Sequence, residues 1–391
     1  MRYLWISVLL LTGIVASAQT RVQTPVQLFE RAKQELNPRT QIELLTQVIE
    51  QAPTYVDAYH YRADAYAKLG DNRQAIADYN QVVALRPKDP FRYYARGLAY
   101  SHQKEPQLAL ADFTRAIHLN PSHKNFYLAR AREYRSIGRY NLALADYTNY
   151  VGDWEHASQV TLEEVIPVSL DAYRYDIAQQ QVDALAALGN DSASRHFWQG
   201  RIFQSDGKLD EAVSAFSKAI NRKENWALAY QWRGATYRDM GDFEAALEDY
   251  NRVIELEPEA YWFNRRGLVY EEQKRFDKAV ADYTRAIELS PKWAVAYNNR
   301  GFARMNLKQW EKAKADFETA IRLDPSAPTP YVNLAGTYWT FKKDRKNMYA
   351  NLQKAIKHNF KNYEALFDDN QKGWMFKSIN QTEEFRTLLY K

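Results

Sequence analysis

The stretch from Tyr230 to Pro258, YQWRGATYRDMGDFEAALEDYNRVIELEP, decides how the rest of the chain is organised. Tyr230, Gly234 and Tyr237 fall three and four residues apart, the spacing that places side chains on one helical face. Gly241-Asp242 breaks that run, and Phe243, Ala246, Tyr250 and Val253 restart it. Glu257-Pro258 closes it, because proline cannot continue a helix and restricts the residue before it. The pattern predicts two short amphipathic helices joined by a tight turn. Such a unit cannot bury its apolar face alone and must stack on a neighbour. The neighbours are FNRRGLVYEEQKRFDKAVADYTRAIELSP, ending at Pro291, and YNNRGFARMNLKQWEKAKADFETAIRLDP, ending at Pro325.

These closing prolines lie 33 and 34 residues apart. That period, with an aromatic–x–x–Arg–Gly opening and a later Ala–x–x–x–aromatic, resembles the tetratricopeptide repeat. Upstream, similar units end at Pro87 and Pro121, and a third, Tyr127 to Val151, lacks the closing proline. A degenerate first unit spans Gln27 to Pro53, the repeats resume at Trp198, and a last unit opens with YVNLAGTYW at Tyr331. Gly152 to Asn190 fits poorly, with Pro167 in its first half and a helical pattern from Tyr173 to Leu188. Its flanking slots, Tyr127 and His196, are 69 residues apart, close to two periods. The expected organisation is a signal peptide over 1–18, repeats over 19–151 and a diverged repeat or insertion over 152–192. Further repeats follow over 193–360, with a capping segment over 361–391 carrying Leu366, Trp374, Phe376, Phe385, Leu388 and Leu389. The resemblance implies an all-α fold, a right-handed α-solenoid of about ten tetratricopeptide-like helix pairs whose first helices line a concave groove. It also implies binding of peptides or protein segments in that groove.

One feature departs from the commonest family pattern, which has leucine before the first-helix glycine or alanine. Six units place arginine there: Arg62, Arg96, Arg130, Arg233, Arg266 and Arg300. Sixteen residues later each has an aspartate: Asp78, Asp112, Asp146, Asp249, Asp282 and Asp316. Where the arginine is missing the acid is missing too, as in Leu28 with Leu44, Gln199 with Ala215 and Leu334 with Ala350. A guanidinium can grip a carboxylate through two parallel hydrogen bonds, so the pairs are expected to be structural bridges between the two helices of a unit.

The candidate peptide-binding residues occupy the slots two and three ahead of the first-helix glycine: Trp198, Gln231, Trp232, Asn264, Arg265, Asn298, Asn299 and Asn333. In related repeats, asparagines in the nearer slot, matching Asn299 and Asn333, line the concave wall as a ladder. A carboxamide offers a ligand backbone both a donor and an acceptor. Trp198 and Trp232 could add apolar anchoring or be core, and Arg265 suits an acidic side chain or a C-terminal carboxylate. The expected ligand is an extended polypeptide held mainly by the C-terminal half, with Asn264, Asn298, Asn299 and Asn333 free enough that alanine there leaves the melting temperature nearly unchanged.

Composition sets limits on other functions. The formal charge is +5 with no basic run, which argues against nucleic acid. Zero cysteines exclude disulfides, thiolate metal sites and a cysteine nucleophile. Hydrolase, metalloprotease, phosphate-loop and dinucleotide fingerprints are missing, and the seven histidines stand mostly alone. No enzyme activity, catalytic residue, metal, cofactor or small-molecule substrate is therefore expected. Met1-Arg2, the apolar run Leu4 to Val15 and Ala16-Ser17-Ala18 form a signal-peptide pattern, cleaved after Ala18 for export to the periplasm or medium. The expected function is a protein- or peptide-binding scaffold of the cell envelope. The alternative is a self-associating or homo-oligomeric component of an envelope or secretion assembly.

Overall fold

The computed structural model describes residues 23–360, 376 and 382–390. The signal-peptide segment and most of residues 361–381, with Leu366 and Trp374, lie outside them. Twenty helices of ten to fifteen residues follow one another in tandem, a number that fits ten helix pairs, and no strand occurs among the described residues. The chain divides into two compact units, one running to Tyr173 and one from Arg174.

Unit one holds α1 (Pro25–Gln34), α2 (Pro38–Gln51), α3 (Val56–Lys68), α4 (Asn72–Leu85), α5 (Pro90–His102), α6 (Pro106–Leu119), α7 (Lys124–Ser136), α8 (Tyr140–Val151) and α9 (Gln159–Asp171). Unit two holds α10 (Tyr175–Ala187), α11 (Ala193–Ser205), α12 (Leu209–Arg222), α13 (Ala227–Met240), α14 (Phe243–Leu256), α15 (Ala260–Glu272) and α16 (Phe276–Leu289). It continues with α17 (Ala294–Asn306), α18 (Trp310–Leu323), α19 (Pro328–Lys342), α20 (Arg345–Lys357) and the short α21 (Glu383–Tyr390). The stretch weighed as a diverged repeat or an insertion is divided: α9 closes unit one against α8, and α10 opens unit two against α11.

Local chemistry explains the helix limits. Proline stands in the first turn of α1, α2, α5, α6 and α19, where its missing N–H leaves no helical bond unmade. Thr24, Asn37, Asp89 and Asp242 accept from backbone N–H groups just downstream of them. The turn inside a repeat needs a left-handed residue. Gly241 supplies it with φ +82°, and Lys104, Lys274 and Lys308 fill the same slot with φ of 59° to 61°.

The core follows from the repeat. In seven units the residue after the aspartate slot is a buried aromatic: Tyr79, Phe113, Tyr147, Phe216, Tyr250, Tyr283 and Phe317. Each such ring contributes roughly 1.5–3 kcal/mol by leaving water. The first-helix glycine makes room for it, since a Cβ on Gly267 would sit 2.7 Å from the Tyr283 ring. At the C-terminal end Phe376 and Phe385 are fully buried in a cluster with Tyr331, Met348, Leu352 and Phe360.

Candidate functional site

Two walls of first helices carry the chemistry, one in each unit, and both are braced by the same clasp. Each of the six arginines donates through Nε and Nη2 to the two oxygens of its aspartate, at 2.6–3.1 Å. The third nitrogen, Nη1, reaches the second helix of the preceding repeat. Arg62 donates to Thr46, Arg96 to Asn80, Arg130 to Thr114, Arg233 to Ser217, Arg266 to Asn251 and Arg300 to Thr284, at 2.7–3.3 Å. An aromatic three residues earlier, from Tyr59 to Tyr297, lies 5.5–5.9 Å under each guanidinium. The hydrogen bonds they donate to their aspartates push Arg62, Arg96, Arg130 and Arg266 above the ordinary arginine value. Burial pushes the Asp249 carboxyl up, against the pull of Arg233. The third anchor is the part that sequence reasoning missed. Its signal is a Ser, Thr or Asn sixteen residues before the arginine, or fifteen for Asn251.

In unit two the structure joins the four candidate asparagines into one relay. Asn333 Nδ2 donates to Asn298 Oδ1 at 2.9 Å, Asn298 Nδ2 to Asn299 Oδ1 at 3.3 Å, and Asn299 Nδ2 to Asn264 Oδ1 at 3.0 Å. Asn264 and Asn333 are buried. The carboxamides that the sequence offered to a ligand backbone are engaged with one another across α15, α17 and α19. Trp198 is also buried, and the Trp232 ring carries the Arg201 guanidinium 3.9 Å from its centre. Gln231 and Arg265 are half-buried on α13 and α15. A shallow cleft of about 1210 Å³ in this unit lies at the turns around Pro258 and Pro291, away from the relay.

Unit one has a different wall. The slots matching Asn298-Asn299 are Tyr94-Ala95 on α5 and Leu128-Ala129 on α7. Between these helices a cleft of about 670 Å³ opens, lined by Tyr94, Leu98, Phe113, Leu128 and Ile137, with Glu133 at one side. Arg132, which also lines the cleft, donates two hydrogen bonds of 2.8 Å to Glu164 on α9, and the Tyr147 hydroxyl donates a third at 2.8 Å. The Arg132 contact holds the Glu164 carboxyl below its usual range. Burial, with Glu164, pushes the Tyr147 hydroxyl up. Among the described residues no group of three or more His, Asp or Glu could hold a metal ion, and no helix is long and apolar enough to cross a membrane.

Tetratricopeptide-repeat family models match residues 44–77, 63–104, 90–123, 169–227, 233–292 and 294–327, together more than half of the chain. The chain belongs to the tetratricopeptide-repeat family. Among solved structures it is similar to a tetratricopeptide repeat protein from Parabacteroides merdae ATCC 43184, at 21% identity with a TM-score of 0.51, covering 63% of this chain and 98% of that one. It is also similar to MamA, at 23% identity with a TM-score of 0.38, over 41% of this chain and 93% of that one. A third is YrrB, described as a TPR protein with an unusual peptide-binding site, at 21% identity with a TM-score of 0.37, over 43% of this chain and 87% of that one. At these identities the likeness to the Parabacteroides protein shows the tetratricopeptide fold and nothing finer. No curated protein matches the chain.

Proposed function

We propose that this tetratricopeptide-repeat protein is an exported, non-catalytic scaffold of the cell envelope that holds an extended polypeptide on the first-helix wall of unit one. The observation that carries this reading is the contrast between the two walls. At matching slots unit two presents amides satisfied by one another, whereas unit one presents an open cleft with an apolar floor. An apolar pocket bordered by a few polar groups is the usual form of a recognition site. On this reading the polypeptide lies along α5 and α7 and not in the C-terminal half, where the asparagines pointed. Export rests on the Ala16-Ser17-Ala18 pattern at the N-terminus.

The test is capture in the native host. A photo-crosslinking residue at Leu128 should trap a polypeptide in the envelope fraction, and the recovered protein should begin at Gln19. A full-length cytoplasmic product would end the export reading. Capture from a crosslinker at Asn298 and none from Leu128 would return the site to unit two.

A further inference from the structure

The cleft of unit one contains a carboxylate that the repeat does not require. Glu133 stands three residues after Arg130; the same slot holds Ala65, Ala99, Ile202, Thr236, Val269, Ala303 and Thr337, and in the degenerate first unit Arg31, which is exposed. The seven uncharged residues are all buried. Only Glu133 brings an ionisable group into that core position, and it is itself 6% exposed. One hydrogen bond reaches its carboxylate, from Ser101 Oγ at 2.5 Å. Among the described residues no basic nitrogen lies within ion-pair distance of it. The nearby Arg132 is engaged with Glu164, and Lys104 and His102 lie exposed at the cleft's outer end.

A buried carboxylate without a cation is unfavourable, and a single hydroxyl does not offset its desolvation. A repeat that holds alanine or valine in this slot folds without one. Resting on the peptide-binding reading above, we propose that the cleft takes a lysine or arginine side chain of an extended polypeptide, whose cationic head pairs with Glu133. Leu98, Leu128 and Ile137 supply an apolar floor for the aliphatic stem, as long basic side chains need. Ser101 holds the carboxylate in place from α5. Lys104 and Arg132, which also line the cleft, oppose a uniformly basic peptide, so the inserted residue is flanked by neutral or acidic ones.

Three fluorescein-labelled nonapeptide pools test this on the full chain by fluorescence anisotropy, with the central residue fixed as lysine, norleucine or glutamate. The lysine pool should bind at least about tenfold more tightly than the norleucine pool, which keeps the stem and lacks the charge. Glu133→Gln should bring the two within about twofold. Glu133→Ala should do the same while raising the melting temperature, because it restores the small residue the slot holds in α3 and α5. Equal binding of the lysine and norleucine pools, or preference for glutamate, would overturn the basic-residue proposal and leave the peptide reading intact. A lowered melting temperature in Glu133→Ala would make the carboxylate structural and overturn it as well. If no pool binds the unaltered protein, the peptide reading falls and this proposal falls with it.

Discussion

Arg233 connects three helices with three nitrogens: it stands on α13, binds Asp249 on α14 through Nε and Nη2, and binds Ser217 on α12 through Nη1. Only a planar fork with fixed donor directions can do this, so lysine is no substitute. Asp249→Ala should strand a mostly buried guanidinium and destabilise by about 1–4 kcal/mol. The chain supplies its own control, since Leu334 and Ala350 occupy the same two slots in α19 and α20 without a charge. Arg233→Leu combined with Asp249→Ala should therefore be less damaging than the two single changes summed. Urea unfolding of the four proteins measures this, and simple additivity would mean that the clasp contributes no coupling. The pair was legible in the sequence because both partners recur at one spacing. The third anchor was not, because Ser, Thr and Asn exchange there and Asn251 sits one residue off the period.

Between elements, the asparagine relay joins first helices of successive repeats. The sequence placed amides in adjacent slots, but not which slot meets which. The offset between neighbouring helices pairs the nearer slot of one repeat with the farther slot of the one before, 35 residues back in both Asn299–Asn264 and Asn333–Asn298. Matching like slots with like made the amides look available. A hydrogen-bonded carboxamide that loses a partner leaves unsatisfied groups behind, at about 1–3 kcal/mol. Asn298→Ala removes the acceptor for Asn333 and the donor to Asn299, so it should lower the unfolding midpoint in urea. Asn298→Asp should keep the first bond and lose the second, giving a smaller loss. An unchanged midpoint in Asn298→Ala would show that water replaces the relay at no loss, and the wall would again be open to a ligand backbone.

At the scale of the whole molecule, the helical repeat was legible from periodicity, since each unit must bury one face and its closing turn recurs at a fixed distance. The division at Tyr173 was not legible, because α9 and α10 have ordinary helix lengths. What changes there is the clasp: the last arginine–aspartate pair of unit one, Arg130–Asp146, lies upstream, and the next, Arg233–Asp249, lies well inside unit two. The outer end of unit two closes differently, with aromatic rings. Phe376 and Phe385 are fully buried against Met348, Leu352 and Phe360, and so cover the apolar face of α19 and α20. Truncating a buried phenylalanine to alanine typically costs about 3–5 kcal/mol, through lost transfer energy and the cavity left behind. In Phe385→Ala this loss should appear where the ring packs, as faster amide hydrogen exchange in α19 and α20. Exchange in α2 to α6 should stay unchanged, because those helices belong to the other compact unit. Unchanged exchange in α19 and α20 would mean that the terminal segment does not stabilise them. An equal rise in both units would mean that they unfold together, and that the boundary at Tyr173 separates compact structure without separating stability.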